Sequence, residues 1–110
     1  MRDDSERLKD ILEAISQIER YALQGRDKFE QEELVQVWIV HHLQVIGEAT
    51  KALSRSLTQQ YSEVSWAEIV AFRNVLVHEY FRVNLELVWR IVEQDLPDLK
   101  AKIEAILQEG

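Results

Sequence analysis

The stretch from Ser65 to Tyr80, SWAEIVAFRNVLVHEY, contains both the clearest start of a helix and the densest group of functional polar side chains in the chain. Ser65 and Glu68 have the spacing of a capping box, in which each side chain accepts from a backbone N–H at the beginning of a helix. Apolar residues follow at the spacing of one helix face: Trp66, Ile69, Val70 and Phe72. This pattern predicts a helix that begins near Trp66 and runs into the polar group.

The same helical spacing continues on both sides of this stretch, and three Gly and one Pro in 110 residues leave few places for turns. A first helix is predicted after the N-cap candidates Asp3–Ser5, and it should end near Gly25. Its inward-facing stripe consists of Leu8, Ile11, Leu12, Ile15, Ile18 and Ala22. A fourth helix is predicted after Asn84 as its N-cap, and a fifth helix with Pro97 in its first turn.

The second predicted helix is the longest, from about Phe29 to Leu57, and would span roughly 40 Å. Its predicted inward-facing residues are Leu34, Val37, Trp38, Val45, Ile46, Ala49 and Leu53. Gly47 lies in its middle, where glycine costs about 1 kcal/mol relative to alanine. Either another helix packs closely there, from this chain or from a second copy, or the glycine is a tolerated neutral residue. Together these patterns predict an all-α antiparallel bundle of four to five helices in one domain, residues 1–110.

The composition indicates a globular protein and weighs against several classes. Hydrophobic residues are 46% and charged residues 30% of the chain. No apolar run approaches the roughly 20 residues of a membrane helix. The charged N-terminus is unlike a secretory signal, so a cytoplasmic location is expected. The absence of cysteine excludes disulfides and thiolate metal sites. The net charge of −7 is unlike that of a general nucleic-acid-binding protein. Residues 70–92 are nevertheless net positive, with three arginines against two glutamates.

The polar group at the end of the opening stretch has the residue types that metal-free RNA cleavage requires. Such cleavage uses the ribose 2′-OH as nucleophile, and it needs a proton-transfer group and a cation that stabilises charge on phosphorus. His78 fits the first role and Arg73 the second. Positions 73 and 78 lie about 140° apart around an ideal helix, whereas Asn74 and His78 share a face. The helix should therefore end or loosen near His78, or the site should draw on two subunits.

Each of these residues taken alone has an ordinary structural interpretation. A single histidine near a helix end often serves as a cap. A single arginine often forms an ion pair at the surface, and a tyrosine ring often packs in the core.

His41 and His42 are adjacent and point about 100° apart, so they cannot readily chelate one metal, and His42 is predicted to be packed. His41 and Glu48 are seven residues apart and could share a face near the site or a dimer seam. The three tryptophans are predicted to pack in the core: Trp38, Trp66 and Trp89.

The order R-x4-H-x-Y, from Arg73 through His78 to Tyr80, is the signature of ribonucleases of the HEPN superfamily. The chain resembles most closely the HepT type, the toxins of bacterial and archaeal toxin–antitoxin pairs. The resemblance covers nearly the whole chain. It includes residues 46–49 (IGEA), Trp66 with Ile69, Val88 with Trp89, and residues 95–97 (DLP).

This resemblance implies a homodimeric helical bundle and a metal-independent endoribonuclease that needs no cofactor. Arg73 and His78 would be catalytic with support from Asn74, while Glu48 and His41 remain candidates for support of the site or of the dimer seam. The implied partners are RNA and a cognate MntA-like nucleotidyltransferase antitoxin, which would transfer AMP to Tyr80; no membrane or DNA partner is expected. The alternative is a non-catalytic helical subunit that docks and regulates the nucleotidyltransferase. A purely structural dimer would require the spacing of the motif to be accidental.

Overall fold

The computed structural model describes residues 3–78 and 84–109, apart from the side chains of Val77 and His78, and every regular element in this part is a helix. The α-helices are α1 (Asp4–Ala22), α2 (Arg26–Gln31), α3 (Glu33–Lys51), α4 (Arg55–Gln60), α5 (Trp66–His78), α6 (Leu85–Arg90) and α7 (Leu96–Glu109), with a π-helical segment (Ile91–Asp95) between the last two. The predicted all-α class is confirmed. None of the described helices combines the length and apolar character needed to cross a membrane.

Helix α3 is the central element, because it packs along both α1 and α5, and α7 packs against α1. The core that these helices share contains the predicted stripe of α1 and is built mostly from branched aliphatic side chains. Its least exposed members are Leu8, Ile11, Ile15, Ile18, Phe29, Ile39, Leu76, Val88 and Ile103. Burial of such side chains contributes roughly 1.5–3 kcal/mol each, which makes this core the main source of stability.

The first helix begins and ends as its sequence predicts. Asp3 is the N-cap, and its Oδ1 accepts from the backbone N–H of Glu6 at 2.9 Å. After Ala22 the chain turns, and Gly25 has a φ of +95°, a conformation that side-chain-bearing residues rarely adopt. Gly25 therefore separates α1 from the short helix α2.

The prediction of one long helix from Phe29 to Leu57 is wrong, because the chain leaves helical geometry twice. Glu32 is extended (φ −111°, ψ 110°) between α2 and α3. The carbonyl groups of Phe29 and Glu30 accept instead from the side-chain amide of Gln36, at 2.9 and 3.2 Å. The second break precedes α4, where Ser54 is an N-cap whose Oγ accepts from the N–H of Leu57 at 3.2 Å.

The inward face of α3 also differs from the predicted one. Its buried side chains include Val35, Ile39, Val40, Leu43, Ile46 and Ala49. Leu34 and Val37 are 83% and 40% exposed, so their predicted burial is wrong. Both positions lie about 150° around the helix from the centre of the face that packs on α1 and α5. Ile46, Ala49 and Leu53 are buried as predicted, whereas Trp38 and Val45 are partly buried.

The C-terminal helices begin as predicted but are not separated by a loop. Asn84 caps α6 through Oδ1, which accepts from the N–H groups of Glu86 and Leu87. From Leu85 to Glu109 the backbone stays helical and widens only in the π-helical segment, where the N–H of Leu96 donates to the carbonyl of Ile91. Pro97 follows directly in the first turn of α7. Because proline has no N–H and crowds the carbonyl four residues earlier, a widened turn lets the helix continue past it.

Candidate functional site

The candidate site lies where α5 crosses α3, and the crossing is built around Gly47 and Arg73. A Cβ atom added at Gly47 would collide with Cβ and Cγ of Arg73 and would lie 3.4 Å from its Cα. Only glycine therefore allows α5 to approach this closely. The prediction that another helix packs at Gly47 is confirmed, and the neighbouring helix belongs to the same chain. The interpretation of Gly47 as a neutral residue is wrong.

Two acceptors hold the guanidinium of Arg73 at this crossing. Nη2 donates to Oε1 of Glu48 on α3 at 3.2 Å, and Nη1 donates to Oδ1 of the adjacent Asn74 at 3.1 Å. The side chain of Arg73 is 23% exposed, whereas that of Glu48 is 60% exposed. Arg73 thus presents an oriented cation at the surface, with its stem packed over a glycine.

The Nε atom of Arg73 differs from the two Nη atoms. It is buried, and within residues 3–78 and 84–109 no acceptor contacts it. The donors that can reach an incoming ligand are therefore the remaining N–H groups of Nη1 and Nη2. A guanidinium with two Nη atoms at an accessible edge can bind a phosphate oxygen pair, because its fork matches that geometry.

The described residues include only part of the predicted motif. The backbone of His78 belongs to the same unbroken helix as Arg73, so the two positions are about 140° apart around its axis. The side chain of His78 and the whole of Tyr80 lie outside the described residues. The prediction that the helix ends or loosens near His78, or that the site draws on two subunits, stays a prediction.

Glu48 joins Arg73, whereas His41 is brought only to the same side of α3. The two positions differ by about 20° around the helix axis, and both side chains are exposed. The ring of His41 lies edge-on to that of His42, with centroids 4.9 Å apart. His42 is packed as predicted, since its Nδ1 is hydrogen-bonded to the carbonyl of Trp38 at 2.8 Å and its ring lies on the indole.

The tryptophans are structural residues, as the sequence predicted. Trp66 and Trp89 are buried, and the ring of Trp89 packs on Phe29. The indole N–H of Trp38 donates to the carbonyl of Gln17 on α1 at 2.9 Å, which ties α3 to α1. These rings are committed to packing and are poor platforms for stacking of bases.

The surface on the α1 side of Glu48 is acidic. A depression there is lined by residues of α1 and α3, including Asp10, Glu13 and Glu48, with Arg7 and His42. Three carboxylates make this side unfavourable for a phosphodiester, so the accessible edge of Arg73 away from Glu48 is the favoured approach. Within the described residues, no group of three or more His, Asp or Glu side chains is placed to hold a metal ion.

Comparison with known proteins identifies the relatives of the chain. A family described as "Ribonuclease HepT-like" matches residues 11–106. A protein of Methanocaldococcus jannaschii named "Gamma-glutamylcyclotransferase and putative RNase" is 35% identical over 93% of this chain, which spans only 46% of that protein. A "Putative RNase" of the same organism is 29% identical, with 96% of this chain and 97% of the relative covered. The "Probable ribonuclease HepT" of Thermococcus cleftensis is 32% identical, with 96% of each covered. No solved structure matches the chain.

Proposed function

The chain belongs to the ribonuclease HepT-like family, and on that premise we propose that it is the toxin of a toxin–antitoxin pair, a metal-independent endoribonuclease. Family membership supports ribonuclease activity. The observation that carries the finer proposal is the oriented guanidinium of Arg73, which stands at the first position of the R-x4-H-x-Y motif and is held by Glu48 and Asn74. It is the cation that phosphodiester cleavage without a metal requires.

In the proposed reaction the ribose 2′-oxygen attacks phosphorus as its proton is removed. The bond from phosphorus to the 5′-oxygen breaks, that oxygen receives a proton, and a 2′,3′-cyclic phosphate remains on the other fragment. His78 carries the proton transfer, for which an imidazole is suited near neutral pH. The Nη groups of Arg73 bind the phosphoryl oxygens, where negative charge increases in the transition state. Asn74 supports the site by holding Nη1.

The proposed active form is a homodimer whose seam includes the exposed face of α3. Leu34, Val37, His41 and Glu48 lie within about 60° of one another around the α3 axis. The first two are large apolar side chains that are 83% and 40% exposed, and a partner that covered them would remove their apolar surface from water. A second copy that covered them would lie beside Glu48 and Arg73. This placement agrees with a site shared by two subunits.

The proposed regulator is a cytoplasmic nucleotidyltransferase antitoxin of the MntA type, with Tyr80 as the acceptor of AMP. Tyr80 is two residues from His78 in the motif. An adenylyl group there would add bulk and negative charge close to the residues that bind RNA phosphate. Intact mass of the protein co-expressed with a nucleotidyltransferase of this type tests this step, and Tyr80→Phe should abolish any added AMP.

The proposed activity is tested by incubating purified protein with RNA in the presence of EDTA. Wild-type protein should cleave, and His78→Ala should lower the rate by roughly 10²–10⁴-fold, the usual contribution of a general acid or base. Glu104→Gln, an exposed change on α7, is the matched surface control and should cleave normally. Equal cleavage by His78→Ala would contradict the assignment.

The second candidate is a non-catalytic subunit that docks a nucleotidyltransferase, and the net charge of −7 favours it because RNA is also negative. Expression in cells without the partner separates the two. A toxin should arrest growth and Arg73→Ala should relieve the arrest. Normal growth with well-expressed wild-type protein would favour the docking subunit.

A further inference from the structure

We propose that Glu48 is the positioning residue of Arg73, and that it sets which edge of the guanidinium faces RNA phosphate; this rests on the proposed function. The two residues are 25 positions apart in the chain and meet only because α5 crosses α3. Glu48 follows Gly47 directly. The glycine therefore sets how closely the helices approach, and the next residue provides the acceptor at the same crossing.

The contacts leave Arg73 little freedom at either end of its side chain. At the base, Cβ and Cγ lie over Gly47 so closely that no other residue fits there. At the tip, one acceptor binds each Nη atom, Glu48 at Nη2 and Asn74 at Nη1. Because the guanidinium is planar, two acceptors on different nitrogens fix its plane as well as its position. A free arginine side chain loses rotamer entropy when it is ordered, so holding Arg73 in advance assists catalysis.

Glu48 is better suited to orientation than to stabilisation of the fold. Its side chain is 60% exposed, and exposed ion pairs contribute little to stability. Its carboxylate would repel a phosphate that approached along α1, where Asp10 and Glu13 line the adjoining depression. On the other side of the guanidinium, Asn74 is a neutral acceptor. RNA phosphate is thus directed to the Asn74 side of the fork.

Two substitutions separate orientation from charge. Glu48→Ala removes the acceptor and frees the guanidinium. Glu48→Gln keeps an oxygen acceptor and removes the negative charge. If Glu48 positions Arg73, Glu48→Ala should lower kcat by about 10–100-fold with little change in KM. A loss of this size is expected when a catalytic group is misplaced. Glu48→Gln should keep kcat within about threefold and lower KM, because repulsion of phosphate is relieved. Glu19→Ala, which removes the carboxylate of another ion pair between helices, is the matched control and should leave both constants unchanged.

A measurement that does not depend on activity distinguishes failure of this inference from failure of the proposed function. In ¹⁵N NMR spectra of the full chain, Arg73 should show separate Nη signals with slowed rotation about the Nε–Cζ bond. These signals should merge in Glu48→Ala, persist in Glu48→Gln and be unaffected in Glu19→Ala. Retained signals and wild-type kcat in Glu48→Ala would overturn the positioning role. Merged signals in a protein that cleaves no RNA would support the role and reject the ribonuclease activity.

Discussion

Two ion pairs between helices have nearly the same length but different surroundings. Glu19 on α1 and Lys100 on α7 meet at 3.1 Å, and Glu48 on α3 and Arg73 on α5 meet at 3.2 Å. Lys100 donates to both oxygens of Glu19, and the two side chains are about equally exposed. Arg73 instead divides its donors between two acceptors and packs its stem on Gly47. The first pair joins two helices, whereas the second holds a cation in place.

Removing the two cations should give the largest difference between these regions. Arg73→Ala should lower RNA cleavage by roughly 10²–10³-fold, as expected for loss of one donor to a developing oxyanion. Lys100→Ala should keep full activity because its pair lies on other helices. Initial rates on one labelled RNA, with both variants shown to be folded by circular dichroism, measure the difference. Similar rates for the two variants would mean that Arg73 is only a structural residue.

Adding a side chain at Gly47 should have the next largest effect. Helix propensity alone predicts that Gly47→Ala stabilises the protein by about 1 kcal/mol. The clash with Arg73 should outweigh this gain and lower the free energy of unfolding by roughly 1–3 kcal/mol, the usual cost of overpacking. Cleavage should fall as well, since the crossing opens. Urea denaturation measures the stability, and a stabilised, fully active variant would contradict the close packing at this crossing.

Gly25→Ala is the control for this substitution. No atom lies within 4 Å of a Cβ added at Gly25, but its φ of +95° disfavours alanine. This variant should therefore lose stability through backbone strain, about 1–3 kcal/mol, without losing cleavage per folded molecule.

The exposed face of α3 provides a third test. Leu34→Glu places a charge on the face that we propose as the dimer seam, while Leu23→Glu changes an equally exposed leucine after α1. The first variant should shift the protein from dimer to monomer and reduce cleavage, and the second should do neither. Light scattering coupled to gel filtration measures the mass. A dimer that persists in Leu34→Glu would place the seam elsewhere.

The smallest effect is expected for the contribution of the Glu19–Lys100 pair to the free energy of unfolding. Both side chains are partly exposed, 43% and 40%, so a double-mutant cycle with Glu19→Ala and Lys100→Ala should give a coupling free energy of about 0–1 kcal/mol. The coupling should fall further at high salt because exposed charges are screened. Coupling well above this range would show that the pair contributes more to the fold than its exposure suggests.

The features that depend on local sequence were predictable. The caps at Asp3 and Asn84, the boundary at Gly25 and the stripe of α1 follow from side-chain chemistry and helical spacing. Gly47 indicated a helix crossing because glycine is costly in a helix interior.

The break at Glu32 and the contacts between helices were not predictable. Glu32 has no helix-breaking character, and the bend there is stabilised by Gln36, which reaches back to carbonyl groups of α2. The exposure of Leu34 and Val37 depends on which face of α3 the neighbouring helices cover, and apolar spacing alone does not determine that face. The contact between Glu48 and Arg73 follows from the packing of α3 on α5, which no spacing along the chain reveals.

The chemical ends of the cleaved RNA test the central claim most directly. Mass spectrometry of an RNA oligonucleotide treated in EDTA should show a 2′,3′-cyclic phosphate on one fragment and a 5′-hydroxyl on the other, and Arg73→Ala should form both products roughly 10²–10³-fold more slowly. That pair of ends is produced only when the ribose 2′-oxygen attacks phosphorus. Fragments ending in a 3′-hydroxyl and a 5′-phosphate would contradict the account, as would intact RNA.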